Sequence, residues 1–242
     1  MKALVVGGSS GIGLSIVLNL LAKTEYKGVY VVDKAPFPDG YSDDRVTYIP
    51  CDLSVGDYSC LKEAEDIQCL YITAGFGHLS FFQELSDEYI QRIFSVNAVA
   101  PIRIIRHYYE RMLSEEVFHC AVMVSVAGRL SSPLFSVYSA TKAALSKFIE
   151  AVNVELDVQG SKNRILEVSP GSLKGTGFTG GPSQPELTAS LAEEIIHRTV
   201  NREELFIPQY EDVFKGVIAR YEADAHQYGV ESYWYKKKRL EQ

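Results

Sequence analysis

Tryptophan and methionine are scarce in this 242-residue chain, at one and three, and cysteine occurs only four times. The cysteines, Cys51, Cys60, Cys69 and Cys120, show no C-x-x-C spacing, so neither a zinc ribbon nor a dithiol redox motif is written in the sequence. Three of them sit in or beside apolar runs, which reads as reduced, buried thiols. The five histidines are too scattered for metal-ligand spacing. Positive charge is not in excess: 24 Lys and Arg against 31 Asp and Glu leave a net charge of -7. That speaks against a surface for the nucleic-acid backbone. The one basic cluster, Lys236, Lys237, Lys238 and Arg239, reads as a solvated tail rather than a nucleic-acid or membrane patch. No apolar run approaches the ~20 residues that span a bilayer. Met1-Lys2 leads into the apolar residues 3–6 without a signal-peptide pattern. The expectation is a cytoplasmic protein with no nucleic-acid and no membrane partner.

Apolar residues make up 46% and charged residues 23%, ordinary globular usage with material for a sizeable core. Short apolar runs at 2–6, 28–33, 46–49, 69–72, 117–125, 165–168 and 205–207 alternate with helical patterns. Strand, helix, strand in this rhythm predicts a parallel sheet covered on both faces. No repeat or linker divides the chain, so the expected fold is one doubly wound α/β domain of the Rossmann type over residues 1–242. Ser86 with Asp87 and Glu88 predicts a capped helix running toward Leu113, with a kink or a local break at Pro101. Residues 209–242 form an aromatic-rich extension, with Phe214, Tyr221, Tyr228, Tyr233, Trp234 and Tyr235. Their rings predict an ordered segment, since burying each is worth ~1.5–3 kcal/mol. It either packs on its own domain or across a dimer, or covers an active site.

After the first run comes Gly7-Gly8-Ser9-Ser10-Gly11-Ile12-Gly13. Glycines directly after a first strand let the backbone turn tightly and bring a pyrophosphate onto a helix N-terminus. The spacing, with Gly7, Gly11 and Gly13, departs from G-x-G-x-x-G but meets the same mechanical demand. The second run ends in Asp33, whose carboxylate can accept from the ribose hydroxyls of NAD and repels the added phosphate of NADP. Lys34 partly offsets that repulsion, so NAD is favoured and NADP is less favoured.

Tyr-x-x-x-Lys occurs four times, at Tyr30/Lys34, Tyr58/Lys62, Tyr138/Lys142 and Tyr233/Lys237, so context must choose. On a helix, Lys142 shares a face with Tyr138, and Ser125 ends the buried run just before them. With Gly7, Gly11, Gly13, Asp33, Cys51-Asp52-Leu53, Ala74-Gly75, Asn97 and Pro170-Gly171, the order and spacing resemble the short-chain dehydrogenase/reductase family, in its branch of about this length. The resemblance implies that Tyr138 is the general acid/base, Lys142 its electrostatic partner, Ser125 the donor to the substrate oxygen, and Asn97 the holder of a water in the proton path. It implies cofactor contacts from Gly7, Ser9, Ser10, Gly11, Ile12, Gly13, Asp33, Asp52, Leu53, Ala74, Gly75, Tyr138, Lys142, Pro170 and Gly171. A free phenol titrates near 10, so bringing it to ~7 takes roughly 4 kcal/mol of stabilisation of the phenolate. His78, in the glycine-rich stretch nearby, either touches substrate or decorates a loop.

Three departures stand out. Thr73 replaces the asparagine usual before Ala-Gly, though its hydroxyl can still tie to backbone. After Pro170-Gly171 the expected threonine position holds Gly175, leaving Thr176, or else Thr179, to hold the carboxamide. The third is the extension itself. The expected activity is NAD(P)-dependent hydride transfer on a secondary alcohol or ketone, a small-molecule substrate, by a homodimer or homotetramer. The rival is a non-catalytic NAD(P)-binding sensor or scaffold on the same fold.

Overall fold

The computed structural model describes residues 1–179 and 181–241. Seven parallel strands stand in the order β3-β2-β1-β4-β5-β6-β7. They are β1 (Lys2–Val6), β2 (Gly28–Asp33), β3 (Val46–Pro50), β4 (Cys69–Ile72), β5 (His119–Met123), β6 (Ile165–Val168) and β7 (Leu205–Phe206). In β1, Leu4 and Val6 face one cluster and Ala3 and Val5 the other, as a strand buried on both sides requires. The first cluster lies under α3 (Ala100–Leu113) and α4 (Ser136–Val158), through Ile104, Ile105, Leu145 and Ile149. The second lies under α1 (Gly11–Leu21) and α5 (Ala189–Val200), through Ile16, Val17, Leu20 and Ile195. Each such side chain stabilises the fold by ~1.5–3 kcal/mol.

The strand order reverses between β1 and β4, where chain connections diverge to opposite faces and leave a crevice at the strands' C-terminal ends. Register makes that crevice level: Val6 pairs with Val32 on one side and Ile72 on the other. Gly7 and Thr73 therefore leave the sheet side by side.

The helix expected from 86 to 113 is two helices. Ser86 caps α2 (Asp87–Phe94), its hydroxyl accepting the Tyr89 N–H at 3.2 Å. A single wide, π-type turn at Ser95–Val99 follows, and Pro101 then falls in the first turn of α3. Proline has no N–H to offer the carbonyl four residues back, which is that of Asn97. The widened turn absorbs the missing bond, as such turns do at functional sites.

The extension folds into α6 (Lys215–Ala223) and α7 (Ala225–Leu240), the latter capped by Asp224, which accepts the Gln227 N–H at 2.8 Å. The expected burial of its rings is met in part: Phe214, Tyr221, Tyr228 and Tyr233 are half-buried, whereas Trp234 is 56% and Tyr235 65% exposed. A helix lying along the edge of the body covers only one of its faces. The basic cluster is also not wholly solvated, because Lys236 turns inward; Lys237 lies over the Trp234 ring at 5.3 Å. Among the described residues no helix is long and apolar enough to cross a membrane.

Candidate active site

Where β1 ends, Gly7 takes a left-handed backbone (φ 86°), and a Cβ there would come within 2.6 Å of the Ala74 nitrogen. A Cβ on Gly13 would overlap the Gly7 carbonyl. These glycines let the turn, the start of α1 and the exit of β4 occupy one small space. Thr73 locks them, its hydroxyl donating to the carbonyls of Val6 at 2.9 Å and Gly7 at 3.2 Å. Ser10, at the N-cap, makes no side-chain capping bond, and the first turn of α1 holds no acid. The positive end of this helix is thus uncompensated by its own side chains, the condition that favours a bound anion. One of its N–H groups, that of Gly11, donates to the Ser183 hydroxyl at 2.7 Å.

Asp33, at the end of β2, accepts from the N–H groups of Ser9 at 3.1 Å and Ala35 at 3.0 Å. The Ser9 hydroxyl donates to the Ala35 carbonyl at 2.9 Å. Asp52 accepts from the N–H and hydroxyl of Ser54 at 2.8 and 2.7 Å. The Ser54 hydroxyl first, then its N–H, hold that carboxyl below its usual range. Leu53 and Ile12 are buried beside these acids' segments. A turn drawn tight by missing Cβ atoms, a helix N-terminus without an acidic side chain of its own and a carboxylate at the β2 rim suit a dinucleotide's pyrophosphate and ribose.

The second half of the site is built from side chains. Ser125 lies two residues beyond β5; its hydroxyl accepts the Ala127 N–H at 3.1 Å and donates to the Pro170 carbonyl at 3.4 Å. Tyr138 and Lys142 lie one turn apart on α4, and the Lys142 ammonium stands 5.8 Å from the centre of the Tyr138 ring. It donates to the Met123 carbonyl at 2.9 Å. Asn97 is fully buried, accepting the Phe76 N–H at 3.0 Å and donating to the Phe76 carbonyl at 2.8 Å. A Cβ on Gly75 would lie 3.3 Å from the Lys142 ammonium and 3.4 Å from the Asn97 amide oxygen. Lys142 and Asn97 therefore meet at Gly75, Tyr138 shares the helix face of Lys142, and the Ser125 hydroxyl bears on the Tyr138 phenol. Of the four Tyr-x-x-x-Lys pairs this is the one whose phenol meets Ser125; Tyr58, for comparison, lies under the Arg103 guanidinium at 4.6 Å.

Burial dominates the electrostatics here. It pushes the Tyr138 phenol up to about 12, against the downward pull of the Ser125 hydroxyl. It also draws the Lys142 ammonium down to about 8. Reading the sequence suggested that the ammonium would lower the phenol; in the structure it lies over the ring and bonds to a carbonyl, and desolvation of the phenolate wins.

Other contacts were not legible from the sequence. Tyr138 sits between Phe135, stacked at 4.2 Å, and Phe178, tilted at 5.2 Å. Phe214 of the extension packs on Gly171 so closely that a Cβ there would be 2.5 Å from its ring. Lys236 donates to the Ser132 hydroxyl at 2.6 Å and the Pro133 carbonyl at 3.3 Å, and burial draws it down to about 8. Thr176 lies against Gly11, at the glycine turn, with its hydroxyl donating to the Leu173 carbonyl at 3.1 Å. The side chain of Thr179 lies outside the described residues. His78 packs edge-on against Tyr89 at 4.6 Å, lining a small cleft with Leu134, Phe135 and Tyr138. An aromatic amid the glycines of the 171–181 loop was the available sign of Phe178.

Residues 1–186 match the family model described as short chain dehydrogenase. The chain is 28% identical over 186 residues to the uncharacterized oxidoreductase TDA5 of Saccharomyces cerevisiae, covering 73% of this chain and 56% of that protein. A second uncharacterized oxidoreductase of the same yeast is 26% identical, with 64% of its length covered. The chain thus spans well under the full length of these relatives. Among solved structures, a short-chain dehydrogenase/reductase from Burkholderia phymatum in complex with NAD superposes with a TM-score of 0.75 at 18% identity, covering 92% of this chain and 93% of that one. One from Burkholderia cenocepacia in complex with NADP gives 0.73 at 20%, covering 93% and 94%.

Proposed function

The chain belongs to the short-chain dehydrogenase family, and from that premise we propose that it is an oxidoreductase moving a hydride between a nicotinamide and the carbon of a secondary alcohol or ketone. One observation carries the reading: the Lys142 ammonium and the Asn97 amide meet at Gly75, beside the glycine turn, with the centre of the Tyr138 ring 5.8 Å from that ammonium and the Tyr138 hydroxyl within reach of Ser125. The nicotinamide, when bound, supplies or accepts the hydride. Ser125 donates to the substrate oxygen, where negative charge develops. Tyr138 gives or takes the proton of that oxygen. Lys142 brings positive charge beside a phenol that burial holds high, and the buried Asn97, tied to the Phe76 backbone, would hold a water in the proton path to that ammonium. Phe135 and Phe178 exclude water from the phenol.

NAD is favoured over NADP because Asp33 brings negative charge to the ribose, although the neighbouring structures contain either nucleotide. The assembly is a homodimer or homotetramer joined through α3 and α4, whose outer faces expose Val154 at 60% and Val158 at 81%; light scattering tests this. The activity test is a panel of alcohols and ketones with both nicotinamides, run with the unsubstituted chain and Tyr138→Phe. We expect a ~10²–10⁴-fold loss of turnover in the variant with nucleotide affinity retained. Turnover that survives the substitution removes Tyr138 from its role. Nucleotide binding with no turnover on any substrate favours the sensor instead.

A further inference from the structure

Two of the four cysteines meet, although eight residues separate them. Cys51 follows β3, and Cys60 lies in a short helical turn at Ser59–Ala64. Their sulfurs are 3.1 Å apart, Cys60 donating to Cys51, which in turn faces the Asp57 carbonyl at 3.7 Å. Both thiols are half-buried and free, whereas Cys69 and Cys120 are buried. The intervening loop is already closed by other bonds. The Tyr58 hydroxyl donates to the Leu53 carbonyl at 3.2 Å, and Arg103 donates to the Gly56 carbonyl at 2.9 Å. Most of the entropy of bringing the sulfurs together has therefore been spent by the fold.

Cys51 also sits between the two acids of the adenosine side. Its N–H donates to the Asp33 carbonyl at 3.0 Å, and Asp52 is the next residue. We propose that Cys51 and Cys60 are a peroxide-oxidisable dithiol that closes to a disulfide and thereby weakens nucleotide binding; the coupling rests on the nucleotide site assigned above, the dithiol does not. A disulfide holds its sulfurs at ~2.05 Å, so closure draws them together by about 1 Å and shifts Cys51 with its neighbours Asp33 and Asp52. Burial, then the adjacent Cys60 thiol, push the Cys51 thiol up to about 12. One sulfur of the pair, as thiolate, displaces hydroxide from the peroxide and becomes a sulfenic acid. The other sulfur, 3.1 Å away, then attacks it, forming the S–S bond and releasing water. Two thiols lose two electrons and two protons, and one peroxide becomes two waters.

The test uses the full chain, reduced and then freed of reductant, with hydrogen peroxide at a few equivalents. The expected result is the loss of two thiols from the four present, a peptide linked between residues 51 and 60, and recovery with dithiothreitol. NADH affinity, read by fluorescence, should weaken at least threefold in the oxidised chain and be insensitive to peroxide in Cys51→Ser and in Cys60→Ser. Circular dichroism checks that each variant folds, and Cys60→Ala replaces any that does not. Four surviving thiols, sulfinic acid without a linked peptide, or pairing through Cys69 or Cys120 overturns the dithiol. A linked peptide with unchanged NADH affinity overturns the coupling. If the reduced chain binds no nicotinamide nucleotide, the functional reading fails while the linked peptide still stands.

Discussion

The turn between β1 and α1 and the cluster on α4 face the same crevice but are made in opposite ways. At the turn the main chain does the work: missing Cβ atoms let three backbone segments pack into one tight turn. On α4 the work falls to side chains whose ionisation is forced far from its ordinary range by burial. The first region should therefore be sensitive to volume and indifferent to pH. The second should tolerate little change of charge and respond to pH strongly.

The sharpest way to break this contrast is Lys142→Met. Turnover should fall ~10²–10⁴-fold, as when proton-transfer machinery is lost. Stability at pH 7 should nevertheless rise by about 1–2 kcal/mol, because a buried charge is removed at the loss of one hydrogen bond to Met123. The folded chain releases the Lys142 proton near pH 8 and the unfolded chain near 10.5. Between those values the unfolded state holds more protons, so this group's contribution rises with pH and is lost as pH falls through 8. Denaturant titrations from pH 7 to 10 should show the gap between variant and parent narrowing upward. A variant less stable than its parent at pH 7 would mean that the ammonium is structural.

Gly13→Ala probes the other region. The added methyl overlaps the Gly7 carbonyl, and backbone cannot yield as a side-chain end can. Overpacking of this kind costs ~1–3 kcal/mol, and the drop in melting temperature relative to the parent should be the same at every pH between 7 and 10. The smallest effect is expected at Ser183. Its hydroxyl holds the Gly11 N–H, and releasing it in Ser183→Ala should tighten NADH binding ~2–10-fold, the value of one hydrogen bond. Weaker binding in calorimetry would instead make Ser183 a partner of the phosphate.

The same contrast explains what the sequence disclosed. The strands were legible because both faces are buried and the runs are continuous. The glycine turn was legible because only glycine fits it, and α4 because Tyr138 and Lys142 share a helical face. Pro101 signals a kink or a local break, but a proline announces a missing bond without saying which turn widens to absorb it; the widening falls at 95–99. Phe178 and Phe214 went unread as wall residues, because their contacts join segments distant in sequence. The meeting of Cys51 with Cys60 depends likewise on a loop closed by Tyr58 and Arg103, which no spacing rule encodes.

Phe214 leans on Gly171 and Lys236 grips Ser132 and Pro133, so two walls of the crevice are fastened to the same distal strap. Among the described residues α6 contributes no buried residue and α7 only Gly229. Such a poorly rooted unit opens at a free energy far below that of the sheet. Each opening frees the floor at 171 and the rim at 132 together, so amide exchange in the strap and in both loops should share one rate.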